Sequence, residues 1–396
     1  MKICRSSNLL AVVLLSILIE ACGGGNNSGS GGSGTPPPTG AEVLYAVNGS
    51  NEVFSFSIDQ TTGSLSQTAT VSPGGETVNN YALAITPSGS FLYAANDVVS
   101  GINGYSTNSS GTLSLIAGSP FIEQPPSLGA GGLAIDSGGR FLYVASQSGF
   151  GVVGFTIDST SGALTPIPGA PFSTENSPSD VAIDPTGTFL YVSTLNDDAV
   201  LPGHNIWAFT IDTQTGALAP IFGSPFATIA NGQPAQLQVD PSGQFLYVAL
   251  SNSNCIAAFT IDSATGALTP VTGSPFPTAS TEFTQTSSLA ISPSGNFLFA
   301  FNFNGSTVAA FTIESGNGIL DPVAGSPFPT NPNAEGELIV DPSDKFLYLT
   351  VGAGFAPPSA FVIFDIDAST GVLTPNASSP FAGTQEPFGL AVSQSQ

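Results

Sequence analysis

The sequence predicts an all-β fold: a seven-bladed β-propeller of four-stranded antiparallel blades, its ring closed by the C-terminal strand. Three observations predict it. An FLY-like core recurs along the chain, with its leucine at Leu44, Leu92, Leu142, Leu190, Leu246, Leu298 and Leu347, at gaps of 48, 50, 48, 56, 52 and 49 residues. So regular a period marks repeated supersecondary units rather than separate domains. No segment beyond residue 40 has a helical period, so the units connect without crossover helices. Finally, the repeat starts and stops in mid-unit: the first unit opens on VLYAVN with no LAI-type run before it, and the chain ends on GLAVS with nothing to follow it.

One unit, residues 240–276, shows how the strands arise. It reads DPSGQFLYVALSNSNCIAAFTIDSATGALTPVTGSPF. The turn DPSG leads into FLYVA, a continuous apolar run of β-formers. Such a run suits an inner strand covered on both faces. A loop of variable length follows, then IAAFTID, the turn SATG and the short run LTPV. After GSPF and a linker comes the next LAI-type run, SLAIS at residues 288–292. That gives four strands, with the LAI-type run first and LTPV last. Proline in the last strand (Pro166, Pro220, Pro270, Pro322 and Pro375) belongs on an exposed edge, where it blocks pairing with another chain. The seven LAI-type runs are centred on Ala84, Ala134, Ala182, Gln238, Ala290, Ile339 and Ala391. The last of them supplies the strand that the first unit lacks.

Ahead of the repeats, residues 1–21 read as a secretory signal. Lys2 and Arg5 precede an apolar core over residues 9–19, too short to span a bilayer. Ile19-Glu20-Ala21-Cys22 resembles a bacterial lipoprotein cleavage box, which implies an acylated Cys22 as the mature N-terminus. Residues 22–41 form a Gly/Ser/Pro-rich tether suited to such an anchor. Residues 42–396 are then one propeller domain. The expected location is the bacterial cell envelope, lipid-anchored at the outer membrane on its periplasmic or surface side, with the lipid as the only membrane contact.

The chain carries 4 basic and 27 acidic residues, a net charge of −23. That balance argues against nucleic acid and against anionic lipid surfaces. Beyond the signal, Arg140 and Lys345 are the only cations, and Cys255 is the only cysteine after Cys22. A disulfide within the domain and a cysteine metal cluster are excluded. Cys255 reads as a small hydrophobe at the entry to a strand. No metal and no cofactor is implied. The turn aspartates lack the dense oxygen spacing of a calcium loop, and they read as caps for local backbone N–H groups. The phenylalanines of the SPF and APF signals read as packing anchors.

Strands alternate in direction, so the two variable loop classes share one face, and function is expected there. The longest such loop, residues 194–205, carries the only histidine, His204, beside Asp197 and Asp198, and runs into the only tryptophan, Trp207. Tyr81 and Glu282 come from other loops of that face. Asp197, Asp198, His204, Trp207, Tyr81 and Glu282 are the candidate ligand-binding set. His204 and Asp198 are the catalytic candidates, as an acid–base pair.

Units of the form PSGxFLYVAN…VxxFxID…TGxLxPVxGSPF resemble the lactonase family of seven-bladed propellers, which includes 6-phosphogluconolactonase-like enzymes and envelope repeat proteins. The resemblance spans the chain after about residue 42 and rests on turn and core residues. It implies hydrolysis of acidic sugar lactones, through histidine and arginine with a carboxylate on the loop face. Here the sequence departs from the family, because Arg140 and Lys345 sit beside first-to-second-strand turns, on the other face. The leading expectation is therefore a binding or scaffold module acting through the variable-loop face. Its partner is an envelope protein, a glycan or a small molecule, and the chain is expected to be a monomer. The alternatives are a sugar-lactone hydrolase and a purely structural envelope protein.

Overall fold

A computed structural model of the protein describes residues 42–48, 52–72, 80–96, 101–122, 130–147, 151–195, 204–228, 232–278, 285–330, 334–351, 359–383 and 387–393. Every regular element among them is a strand. The strands form seven antiparallel sheets. In the fifth blade, Pro234–Val239 is innermost, followed outward by Phe245–Leu250, Cys255–Ile261 and Leu268–Pro270. The innermost strands of successive blades contact one another in a closed cycle. The first blade takes its innermost strand from the C-terminus: Pro387–Ser393 pairs with Val43–Asn48, Leu44 opposite Val392 and Ala46 opposite Leu390. The ring therefore closes as the half-units at the two ends of the repeat predict.

The outer edge differs from the simple four-run scheme in one respect. The Phe of each GSPF-type signal starts a two-residue strand that pairs with the same third strand as LTP, farther along it. Phe276 thus faces Ile256 while Pro270 faces Phe259. The outermost strand of blades two to seven is thus broken into two pieces around the GSP turn. These phenylalanines do act as anchors: Phe121, Phe172, Phe226, Phe276, Phe328 and Phe381 all pack into the clusters between blades.

One hydrophobic cluster fills each of the seven spaces between neighbouring blades. The second strands are buried along their length, as in Phe245–Leu250. Each fully buried aliphatic or aromatic side chain there contributes roughly 1.5–3 kcal/mol. The innermost strands are only partly buried, because one edge of each faces the central channel.

The turn face is built from repeated polar chemistry. Asp184 accepts the backbone N–H groups of Thr188 (2.8 Å) and Phe189 (2.6 Å), and Asp240 and Asp341 do the same in their blades. In the other turn class, Asp158 accepts Thr160 N (3.0 Å) and Ser161 N (2.8 Å), which holds its exposed carboxyl below the usual range. That turn ends at a glycine lying against the preceding blade. At Gly266 φ is +71°, and an added Cβ would meet the Phe189 ring at 2.5 Å, so both conformation and space require glycine. Tyr191 donates its hydroxyl to Gly266 O at 3.0 Å across the same contact.

Candidate functional site

The innermost strands put equivalent residues round the channel. The position just before the leucine or valine of each LAI-type run holds Gly389, Ala82, Gly132, Asp180, Gln236, Ser288 and Glu337, taking the blades from first to seventh. Four consecutive blades carry polar side chains there, and the other three carry glycine or alanine. All of these but Gly389 line a cavity of about 460 Å³, to which the first blade contributes the neighbouring Phe388. The cavity occupies the start of the innermost strands, which is the variable-loop end of the channel. Toward the turn face the channel continues between Ile85, Ile135, Ile183, Val239, Ile339 and Val392. Asp180, Gln236, Gln238 and Glu337 also line this section, so the polar arc extends down the channel beside the aliphatic side chains.

Local backbone geometry explains the polar arc. Alternate residues of an innermost strand bond to the second strand, and those between turn their N–H toward the channel edge. Each polar side chain of the arc accepts one such N–H from the next blade. Asp180 accepts Leu237 N at 3.0 Å, Gln236 accepts Leu289 N at 2.6 Å, Ser288 accepts Leu338 N at 3.0 Å, and Glu337 accepts Leu390 N at 2.7 Å. The arc is also linked side chain to side chain. Ser288 donates to Gln236 Oε1 at 2.9 Å, and Gln236 Nε2 donates to Glu337 Oε1 at 3.1 Å. Gln238 adds a further bridge, from Nε2 to Leu289 O (2.9 Å) and from Ile291 N to its Oε1 (3.0 Å).

Two of these groups are carboxyls deep inside the ring. Burial pushes Asp180 up to about 7, against the pull of the Leu237 and Val181 N–H groups. Burial likewise pushes Glu337 up to about 8; the Asp180 charge adds to the rise, and the Leu390 and Gln236 hydrogen bonds oppose it. The charged forms lose bulk water and gain no cation in exchange. Among the described residues, Arg140 bonds Asp136 (3.1 Å) and Thr213 O (2.8 Å), and Lys345 donates to Gln60 O at 3.3 Å, all on the turn face. No group of three or more His, Cys, Asp or Glu side chains arranged to hold a metal occurs among the described residues.

The residues singled out from sequence fall in several places. Cys22, Asp197, Asp198 and Glu282 lie outside the described residues. His204 opens the third strand of the fourth blade, His204–Ile211, opposite Ala227. Tyr81 lies in the innermost strand Asn80–Ile85, one residue before the cavity-lining Ala82. Trp207 differs from the expectation of a rim residue. It is 8% exposed, pairs with Val192, stacks on Phe209 at 6.0 Å and packs in the cluster between the third and fourth blades. Strand alternation sends its ring into that wall. Cys255 is half-buried, donates to Ser253 O at 3.0 Å, and has its thiol pushed up by burial, which favours the unreactive form. Sequence reasoning missed Asp180, Gln236, Ser288 and Glu337. Their signal was present in the repeats: one register position changes from small to polar in four consecutive units.

The family model described as lactonase, 7-bladed beta-propeller, matches residues 38–171 and 166–281. No curated protein matches the sequence. Among solved structures, a candidate 6-phosphogluconolactonase from Bacteroides fragilis aligns with a TM-score of 0.72 at 20% identity, over 91% of this chain and 99% of the other. A periplasmic gluconolactonase from Pseudomonas aeruginosa aligns with a TM-score of 0.71 at 18% identity, over 90% and 99%. At such identities the likeness is one of fold.

Proposed function

The chain belongs to the lactonase family of seven-bladed β-propellers, and from that premise we propose that it is a lipid-anchored binding module of the bacterial envelope. Its site is the loop-face mouth of the central channel. The observation that carries this reading is the cavity of about 460 Å³ walled by a polar arc on one side and by small residues on the other. Small-molecule sites take this form, with space plus a few placed polar groups. The charge balance supports binding without hydrolysis of an anionic lactone, because the site offers no cation to hold one.

Two measurements test it. A thermal-shift panel of envelope glycans and small polar metabolites should give at least one ligand that raises the melting temperature. Ala82→Phe, which fills the cavity, should abolish that rise. A rise that survives the substitution would move the site elsewhere. Cys22→Ala should remove acyl labelling and shift the protein out of the membrane fraction; unchanged fractionation would end the anchoring proposal.

The lactonase reading is favoured by the family membership and by the two neighbours whose names include a lactonase activity. Purified protein is expected to show no turnover of 6-phosphogluconolactone. Turnover that disappears in His204→Ala, with folding intact, would replace the binding reading with a hydrolytic one.

A further inference from the structure

The polar mouth is asymmetric in charge as well as in size. Asp180 and Glu337 are the titratable groups among the described residues lining the cavity. The strands packed against Asp180 present Gly132 on one side and Gln236 and Leu237 on the other. Those packed against Glu337 present Ser288, Thr350 and Leu390. None of these side chains is a cation. Ser287 Oγ, in the same wall, has no exposed surface and no hydrogen-bond partner.

Across the cavity the pattern reverses. Gly389 and Ala82 stand where the arc has acceptors, so they offer no side-chain oxygen to the channel-facing N–H groups of Leu83 and Leu133. Register fixes that direction. Thr86 N bonds Phe91 O and Asp136 N bonds Phe141 O, so the residue three places earlier in each strand points its N–H away from the second strand. The channel therefore offers a carboxyl at each end of the polar arc, Asp180 and Glu337, and backbone donors from the small-residue blades between them.

We propose that this mouth binds a hydroxyl-rich primary amine, an amino sugar or amino alditol, with its ammonium held by Asp180 and Glu337 and its hydroxyl oxygens on the N–H groups of Leu83 and Leu133. The proposal rests on the channel being the ligand site, and it names the ligand's chemistry. A compact ammonium supplies the positive charge that the two carboxyls lack. The surrounding hydroxyls match donors and acceptors that a purely apolar ligand would leave unpaired. Linkage then gives a signature. In the empty channel both carboxyls hold protons toward neutral pH. An ammonium favours their ionised forms, so its binding releases protons and tightens as pH rises through 7 to 8.

The test is isothermal titration calorimetry on the whole protein with three probes of one carbon skeleton: glucamine, glucitol and gluconate. At about pH 8.5, glucamine should bind at least about tenfold more tightly than glucitol, and gluconate should bind most weakly. At about pH 5.5 the preference should collapse, because both carboxyls are then neutral. Near neutral pH, titrations in buffers of different ionisation heat should report net proton release with glucamine. Asp180→Asn and Glu337→Gln keep an oxygen to accept the next blade's N–H, and each should remove most of the preference. Should either variant unfold, the pH dependence and proton release of the unaltered protein still decide the matter. Equal affinity for glucamine and glucitol would overturn the ammonium assignment while leaving the channel as the site. Calcium ions that bind alone and compete glucamine away would make this a metal site and overturn it too. If none of the three probes binds, the assigned ligand class is wrong, and the Ala82→Phe thermal-shift comparison decides separately whether the channel is the site at all.

Discussion

From the second strand outward, the seven units are near copies; at one register position of the innermost strand they are not. The outer parts share FLY cores, aspartate-capped turns and a turn glycine pressed on the preceding blade. The inner position runs through glycine, alanine, aspartate, glutamine, serine and glutamate. Repetition builds the ring, since each blade must fit its neighbour through the same contacts. The departure from repetition changes how neighbouring blades meet: Asp180, Gln236, Ser288 and Glu337 each accept an N–H of the next blade, and glycine and alanine at the other three places have no side-chain oxygen to do so. In this chain the departure is one-sided, and its two halves face each other across a cavity.

The largest expected effect tests the ring itself. Removing residues 389–396 takes away most of the innermost strand of the first blade. Leu390 is 3% exposed and packs in the cluster between the seventh and first blades. Its burial alone is worth roughly 1.5–3 kcal/mol, and the ladder to Val43–Asn48 goes with it. A fall in melting temperature of at least about 10 °C, or failure to fold, is expected. An unchanged melting temperature would mean that the copies outside the channel hold without closure.

Next comes the boundary between the halves. A Cβ on Gly132 would overlap Asp180 Oδ1, so Gly132→Ala must displace the carboxyl that accepts Leu237 N. Overpacking of this kind costs typically about 1–3 kcal/mol. Gly316→Ala meets nothing within 4 Å and should cost far less. Equal costs in chemical denaturation would show that the small half of the ring is not shaped by the polar half.

Much of this was legible in the sequence, and the division follows the same comparison. The seven leucines of the FLY cores, the edge prolines and the two half-units at the ends specify the propeller and its closure, because repeated residues report repeated contacts. The split outer edge was not legible: Phe276 and Leu268 belong to separate short strands on one partner, and nothing in GSPF distinguishes an anchor from an anchor that also pairs. Reasoning from rare residues led to His204 and Trp207. Rarity says nothing about direction, and strand alternation buries Trp207 between blades. Asp180 and Glu337 were hidden by their neighbours, since each sits beside an apolar run whose burial draws attention first. They emerge once the seven LAI-type runs are aligned and the column before them is read down.

pH sets the two regions against each other more gently. Glu42 is 3% exposed beside Asp341 at the closure seam, and burial pushes it up to about 7, alongside Asp180 and Glu337 at about 7 and about 8. A carboxyl raised in the folded state contributes stability that is fully present below its unfolded value of about 4, and this is lost as pH rises through the folded value. The turn aspartates Asp59, Asp158, Asp212, Asp262 and Asp367 are held low by backbone and side-chain hydrogen bonds. Their contribution is present above about 4 and is lost on acidification. The melting temperature should therefore peak near about pH 5 and decline toward about pH 8.5. Glu337→Gln should flatten the alkaline decline and leave the acid limb unchanged. A profile rising from pH 5 to pH 8.5 would contradict the placement of these acids.

The smallest effect lies among the copies themselves. Tyr93, Tyr143, Tyr191, Tyr247 and Tyr348 donate their hydroxyls to the turn-glycine carbonyls of the next blade, at Gly162, Gly216, Gly266, Gly318 and Gly63, over 2.7–3.0 Å. The sixth blade carries Phe299 at this place, facing the equivalent turn glycine, Gly371. That turn keeps the common geometry, with a Cβ on Gly371 meeting the Phe297 ring at 2.5 Å, as at Gly266 with Phe189. Tyr191→Phe leaves a buried carbonyl without its donor and should cost about 1–3 kcal/mol. Phe299→Tyr adds the missing bond where the backbone is already arranged for it. It should gain no more than about 1 kcal/mol, the net worth of one buried hydrogen bond. Chemical denaturation of both variants at one pH compares them. If Phe299→Tyr destabilises, the junction between the sixth and seventh blades is packed differently from the five that carry the tyrosine–glycine bond, and the outer parts of the ring are less alike than their sequence repeats make them.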